Sequence, residues 1–257
     1  MPTAARRRFE ANTPRARAQA QLAETLPDGT PEERMVRSDL LRGAWMLAVG
    51  ALDCYFCDAY SDLLRALMRS KSRHPPLALP EWFGGVKVPL DSVLEPYVHE
   101  GRRWRRMADE LMERESVLSL PAIQTLLNKC LRQGHRFFGD ILDGWMRHPD
   151  CPHRMAGTTP SAYSAMNEAN RTAARQAALP LIARRFRIIF QRRHDISHTC
   201  DCPREAVPPL ERTATVEHVI EDIEFLVRRC DEHLDSEFPQ FLAACGCPAP
   251  IIRQAGY

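Results

Sequence analysis

The sequence predicts an all-α protein, an antiparallel helical bundle with additional short helices inserted, and three observations carry that reading. Leu40, Leu41, Ala44, Leu47, Ala48, Ala51 and Leu52 recur at three- and four-residue spacing, as do Val216, Val219, Ile220, Ile223, Leu226 and Val227. Such spacing puts each set on one face of a helix. No sustained alternation of apolar and polar residues meets a hairpin turn signal, so strands are not expected. Nor does the chain repeat itself with a period of about 20 to 50 residues, which argues against a solenoid.

The elements follow in order. Residues 1–32 mix arginine and alanine with a Pro27-Asp28-Gly29 turn and read as a flexible or loosely helical arm. Residues 33–240 read as a single helical domain, opened by a long helix over 31–69 with Glu32 and Glu33 at its start, where the positive end of the helix dipole favours acid. His74-Pro75-Pro76, Pro80, Gly84-Gly85 and Pro89 make residues of about 70–97 an irregular insertion. Shorter helices are predicted over 98–115, over 121–130 with Pro121 in the first turn, over 137–146 and over 161–178. Pro180 then opens a helix over 181–197, Pro203, Pro208 and Pro209 form a loop, and Thr215 precedes a last helix reaching residue 238. Residues 241–257 read as a tail.

Composition narrows the function without choosing it. A formal charge of +2 with 26% charged residues gives no field that would itself demand a nucleic-acid partner, so any basic site is local. Lys71, Lys87 and Lys129 are the only lysines; the positive charge is nearly all arginine, which suits phosphate contacts and equally a GC-rich genome. Nine cysteines, an odd number, follow a polar, arginine-rich start with no apolar signal segment. The expectation is a reducing, cytoplasmic setting. The longest apolar run, residues 43–56, is interrupted by Asp53 and falls short of the ~20 residues a bilayer requires, so no membrane association is expected.

Chemistry concentrates in Arg193-His194-Asp195-Ile196-Ser197-His198, at the end of a helix that also carries Arg184, Arg185, Arg187 and Arg192. A guanidinium holds phosphate through paired hydrogen bonds, and an imidazole moves protons near neutral pH. Together they supply what cleavage of an RNA phosphodiester needs, charge stabilisation and proton transfer, without requiring a metal or cofactor. Five residues along a helix turn by ~500°, which leaves Arg193 and His198 about 140° apart. They converge only if the helix ends between them or if a two-fold dimer brings two copies to one cleft.

Plainer readings stand beside these. Arg193 and His198 also suit the negative end of a helix dipole. His194 sits one turn from His198, either as a supporting residue or simply exposed, and Asp195 either faces solvent or pairs with Arg192. Asp53 lies in an apolar stretch, and a buried carboxylate needs a partner; an arginine of the motif helix is the candidate, in a structural pair or in support of catalysis. His194, His198, Cys200 and Cys202 offer four nitrogen and sulfur ligands, but not at the spacing of a known zinc module. Cys54-Tyr55-Phe56-Cys57 falls within a helix and reads as packing, and Cys245-Gly246-Cys247 has no matching pair. Arg102-Arg103-Trp104-Arg105-Arg106 suits either an RNA backbone or a helix face with one buried Trp.

The segment from Arg193 to His198 resembles the Arg-x4-6-His signature of the HEPN superfamily, with His194 as the polar residue after the arginine. Arg192 meets the looser spacing and stands as a further RNA contact. Leu40-Leu41-Arg42, with the stretch Ala51-Leu52-Asp53-Cys54-Tyr55-Phe56-Cys57-Asp58, is similar to the opening helix of the RiboL-PSP-HEPN subgroup, as is the final helix; the middle matches only loosely. Cys57 stands where that subgroup often has histidine. The resemblance implies a homodimeric, metal-independent endoribonuclease that leaves 2′,3′-cyclic phosphate and 5′-hydroxyl ends, a toxin or defence effector with an antitoxin or defence-system partner. Arg193 and His198 would be catalytic, supported by His194 and Asp53. A non-catalytic HEPN module that binds nucleotide or RNA, or assists assembly, is the alternative.

Overall fold

The computed structural model describes residues 3–87, 107–109, 112, 117–199 and 211–255. Among them no strand occurs. The helices are α1 (Ala4–Thr25), α2 (Pro31–Arg73), α3 (Glu81–Gly84), α4 (Leu120–Asn128), α5 (Phe137–Arg147), α6 (His153–Ala156), α7 (Pro160–Ala165), α8 (Glu168–Thr199), α9 (Thr213–Ala244) and α10 (Ala249–Ala255). The all-α expectation therefore holds. Most of the helix expected over 98–115, the Arg102 to Arg106 cluster, and the loop with Cys200, Cys202, Pro203, Pro208 and Pro209 lie outside the described residues.

Local sequence explains several helix starts. Thr30 Oγ1 accepts the Glu33 amide at 3.1 Å while Glu33 Oε2 accepts the Thr30 amide at 2.9 Å, a reciprocal cap at the entry to α2. Ser119 caps α4 by accepting from the Ala122 amide at 3.2 Å, with Pro121 in the first turn as expected. Asn167 Oδ1 takes the Asn170 amide at 2.9 Å ahead of α8. Gly157, at φ 71°, closes α6 in the left-handed conformation.

Three expectations are corrected. The first segment, expected as a flexible or loosely helical arm, is a packed helix: residues 4–25 form α1, and its stripe Phe9, Thr13, Ala16, Ala20 and Ala23 is buried. Small residues make that stripe, so its hydropathy signal is weak although its packing is close. Pro180 does not open a helix but lies inside α8, where the freed carbonyl one turn back belongs to exposed Gln176 and can turn to water. Likewise α9 passes through Pro239 and ends at Ala244, and α10 replaces part of the expected tail.

The chain divides into two compact units, with breaks inside α1, α2, α5 and α9. The first comprises Met1–Arg6, Tyr55–Ile141 and Cys230–Tyr257. Tyr55, Phe56, Leu63, Leu64, Leu67, Phe137 and Phe238 are among its buried side chains. Buried Asp231 accepts from both the amide and the hydroxyl of Thr3, which ties down the start of the chain.

The second unit, Arg7–Cys54 and Leu142–Arg229, holds every candidate site residue. Its buried residues include Leu41, Trp45, Ala48 and Leu52 of α2, Ile182, Phe186 and Ile189 of α8, and Val216, Val219, Ile220, Ile223 and Leu226 of α9. Trp45 donates its indole N–H to the Ile189 carbonyl at 3.1 Å. Arg17 of α1 grips Glu224 of α9 through two bonds of 2.8 and 3.2 Å. The most apolar window of α2 would suffice to cross a membrane by length and composition, but 56% of it is buried within the protein, as in a core helix.

Two polar centres brace this unit. Asp222 is wholly buried, and it accepts from Arg154 Nε at 2.9 Å and Arg185 Nε at 2.7 Å. Asp143 accepts from Arg147 Nε at 2.7 Å, the buried Tyr163 hydroxyl at 2.7 Å and Arg175 at 2.9 Å. The bond from Arg147, together with those from Tyr163 and Arg175, pulls the Asp143 carboxyl down to about 2.

These centres make two predictions. Asp222→Ala leaves two guanidiniums facing an emptied buried position and is expected to cost ~3 kcal/mol in urea unfolding, the scale for removing one partner of a buried pair. Asp143 is lowered on folding, so its contribution is present above its ordinary value of 3.8 and is lost as pH falls through about 2. The stability gap between wild type and Asp143→Asn, visible at neutral pH, should therefore shrink over that acid window in a pH series of thermal melts.

Candidate active site

The motif helix continues past its last histidine. Because α8 runs unbroken to Thr199, Arg193 and His198 both lie on regular helix, about 140° apart around its axis at ~100° per residue. Within one chain they do not converge on one point.

Each site residue has a distinct setting. Arg193 is half-buried, and its charge acts on half-buried Asp53 of α2, the partner anticipated for that carboxylate. Burial pushes the Asp53 carboxyl above its ordinary value, and the nearby guanidinium works against that rise. Arg192, the further RNA contact expected from the sequence, bonds Glu211 through Nε at 2.5 Å, while Ser38 Oγ accepts the Glu211 amide at 2.9 Å. Asp195 accepts from Gln191 Nε2 at 2.7 Å.

His194 and His198, by contrast, come together. Both are exposed, and their ring centroids are 4.4 Å apart with planes inclined by 41°. Helical spacing of i and i+4 accounts for this, since it stacks side chains on one face.

A feature missed in the sequence becomes visible once α8 is continuous. Arg184, Arg187, Gln191, His194 and His198 follow one another at spacings of three and four, and all five are exposed. They form one ridge within about 80° of the helix surface. Arg184 and Arg187 have no ion pair among the described residues. The spacing was present in the sequence, but a search for apolar stripes passes over a polar ridge, and the expected helix end at residue 197 left His198 outside it. Beside it, Arg187, Ile188, Gln191, Arg192 and Asp195 line a shallow recess, with Ile188 47% exposed.

No family model, curated protein or solved structure matches this chain.

The Asp53 and Arg193 pairing is directly measurable. Arg193→Ala removes the cation that opposes desolvation, so the Asp53 carboxyl is expected to titrate at a higher pH than in wild type, read from its 13C chemical shift. An unchanged titration would show that the two charges do not interact.

Proposed function

We propose that this protein is a metal-independent endoribonuclease of HEPN type, acting as a toxin or defence effector. The observation that carries the reading is the exposed His194 and His198 pair at the end of a ridge bearing Arg184 and Arg187. An RNA backbone lies along the arginines by charge complementarity, and His198 moves the proton at the scissile linkage. The 2′-hydroxyl attacks the phosphorus, the P–O5′ bond breaks, and the products carry a 2′,3′-cyclic phosphate and a 5′-hydroxyl.

Arg193 supplies charge stabilisation at the phosphate, and Asp53 orients its guanidinium. The ~140° between Arg193 and His198 within one helix makes a two-fold dimer part of the proposal, with the site completed by a second copy. That same separation favours a second reading, a non-catalytic module that binds RNA or nucleotide.

One set of assays separates the two. Purified protein should cleave RNA in EDTA, and His198→Ala should reduce the rate by ~10²- to 10⁴-fold. Arg193→Ala should cost ~10²- to 10³-fold. A substrate with 2′-deoxyribose at the cleavage position should resist, and sedimentation should report a dimer. RNA binding without cleavage in wild type would select the second reading, and undiminished cleavage of the deoxy substrate would exclude the 2′-hydroxyl mechanism.

A further inference from the structure

His194 and His198 make a second kind of chemistry available at the same exposed turn of α8. We propose that their imidazoles form a bidentate site for a borderline first-row dication, the class of Ni2+, Zn2+ and Cu2+, and that occupancy by such an ion takes His198 out of proton transfer. The binding claim stands on geometry alone, whereas the inhibition claim rests on the endoribonuclease reading.

The ring separation fits chelation. An imidazole nitrogen binds such an ion at ~2.0 to 2.1 Å, which puts each ring centroid roughly 3.2 Å from the metal. Two imidazoles at a right angle on one ion then have centroids about 4.5 Å apart, and at a tetrahedral angle about 5.2 Å. The observed separation is 4.4 Å. The separation is close to that of the right-angle arrangement, and rotation of the two exposed side chains brings a nitrogen of each ring toward a shared ion.

The surroundings permit it. Both rings are exposed, so water can fill the remaining coordination positions. Arg187 stands seven residues from His194, roughly 10 Å along the helix, and of the two residues that flank His194, Arg193 is set against Asp53 while Asp195 accepts from Gln191. Ser197 Oγ donates to the His194 carbonyl at 3.1 Å, so its proton is directed at the backbone and not at the rings. The site uses imidazoles only and owes nothing to the cysteines beyond the end of α8.

The test uses the full chain with 15N-labelled histidine, titrated with Ni2+, whose paramagnetism broadens the ring signals of its ligands. Of nine histidines, the two whose signals vanish in His194→Ala and His198→Ala should broaden first in wild type. Each single substitution should weaken Ni2+ binding at the surviving ring by roughly tenfold or more, because the second arm of a chelate acts at high effective concentration. Thermal melts verify folding, and His194→Gln and His198→Gln replace any alanine variant that fails to fold. If the two rings respond no earlier than the others, or if the surviving ring keeps its affinity within about twofold, the site does not exist. In the activity arm, RNA cleavage by wild type should fall over the same Ni2+ range and return on adding EDTA. Binding without inhibition overturns the inhibition claim alone. If no cleavage is seen under any condition, the endoribonuclease reading fails while the binding result still decides the site.

Discussion

The buried carboxylate of Asp222 is the constraint on which the second unit turns. It has no exposure, and it is held by Arg154 of α6 and Arg185 of α8 at 2.9 and 2.7 Å. Burial pushes its carboxyl up, and the two guanidiniums oppose that shift. An ion so desolvated is tolerated where the geometry supplies its partners, since removing one leaves an uncompensated buried charge. Since Arg185 and the motif share one continuous helix, fixing the register of α8 fixes the direction in which Arg193 and His198 project.

Around that clamp, the two sides of α8 have different work. One side buries Ile182, Phe186 and Ile189, takes a hydrogen bond from Trp45 at a mid-helix carbonyl, and sets Arg193 against Asp53. The other carries the exposed ridge from Arg184 to His198. A guanidinium beside a half-buried carboxylate is oriented but partly neutralised. An exposed imidazole is free to meet ligands of several kinds. Proton transfer and metal binding are alternative uses of such a ring, because a proton acceptor and a metal ligand both use a nitrogen lone pair.

Legibility in the sequence followed the strength of the local signal. The apolar stripe on α9 named its own buried face, and Val216, Val219, Ile220, Ile223, Leu226 and Val227 are all buried. The short helices α4 and α5 are legible from periodicity, with Pro121 marking the first turn of α4. By contrast α1 reads as a flexible or loosely helical arm, because a buried face that is alanine and threonine apart from Phe9 resembles a solvated one in hydropathy. Pro180 reads locally as a helix start, since local rules do not register that the carbonyl one turn back, on exposed Gln176, can turn to water while the helix continues.

By itself the sequence determined that this chain is helical, where its apolar stripes lie, and that arginine and histidine chemistry gathers before residue 199. Periodicity and residue type are local properties, and a helix expresses them wherever it packs. Only the tertiary structure decided which of those residues share a face. It extended α8 through His198, separating that residue from Arg193 and pairing it with His194, and it set Arg193 against Asp53 across 140 positions of sequence. It also committed Arg192 to Glu211. The reason is physical: a charged side chain's role depends on burial and on the nearest opposite charge, and both are supplied by helices distant in sequence.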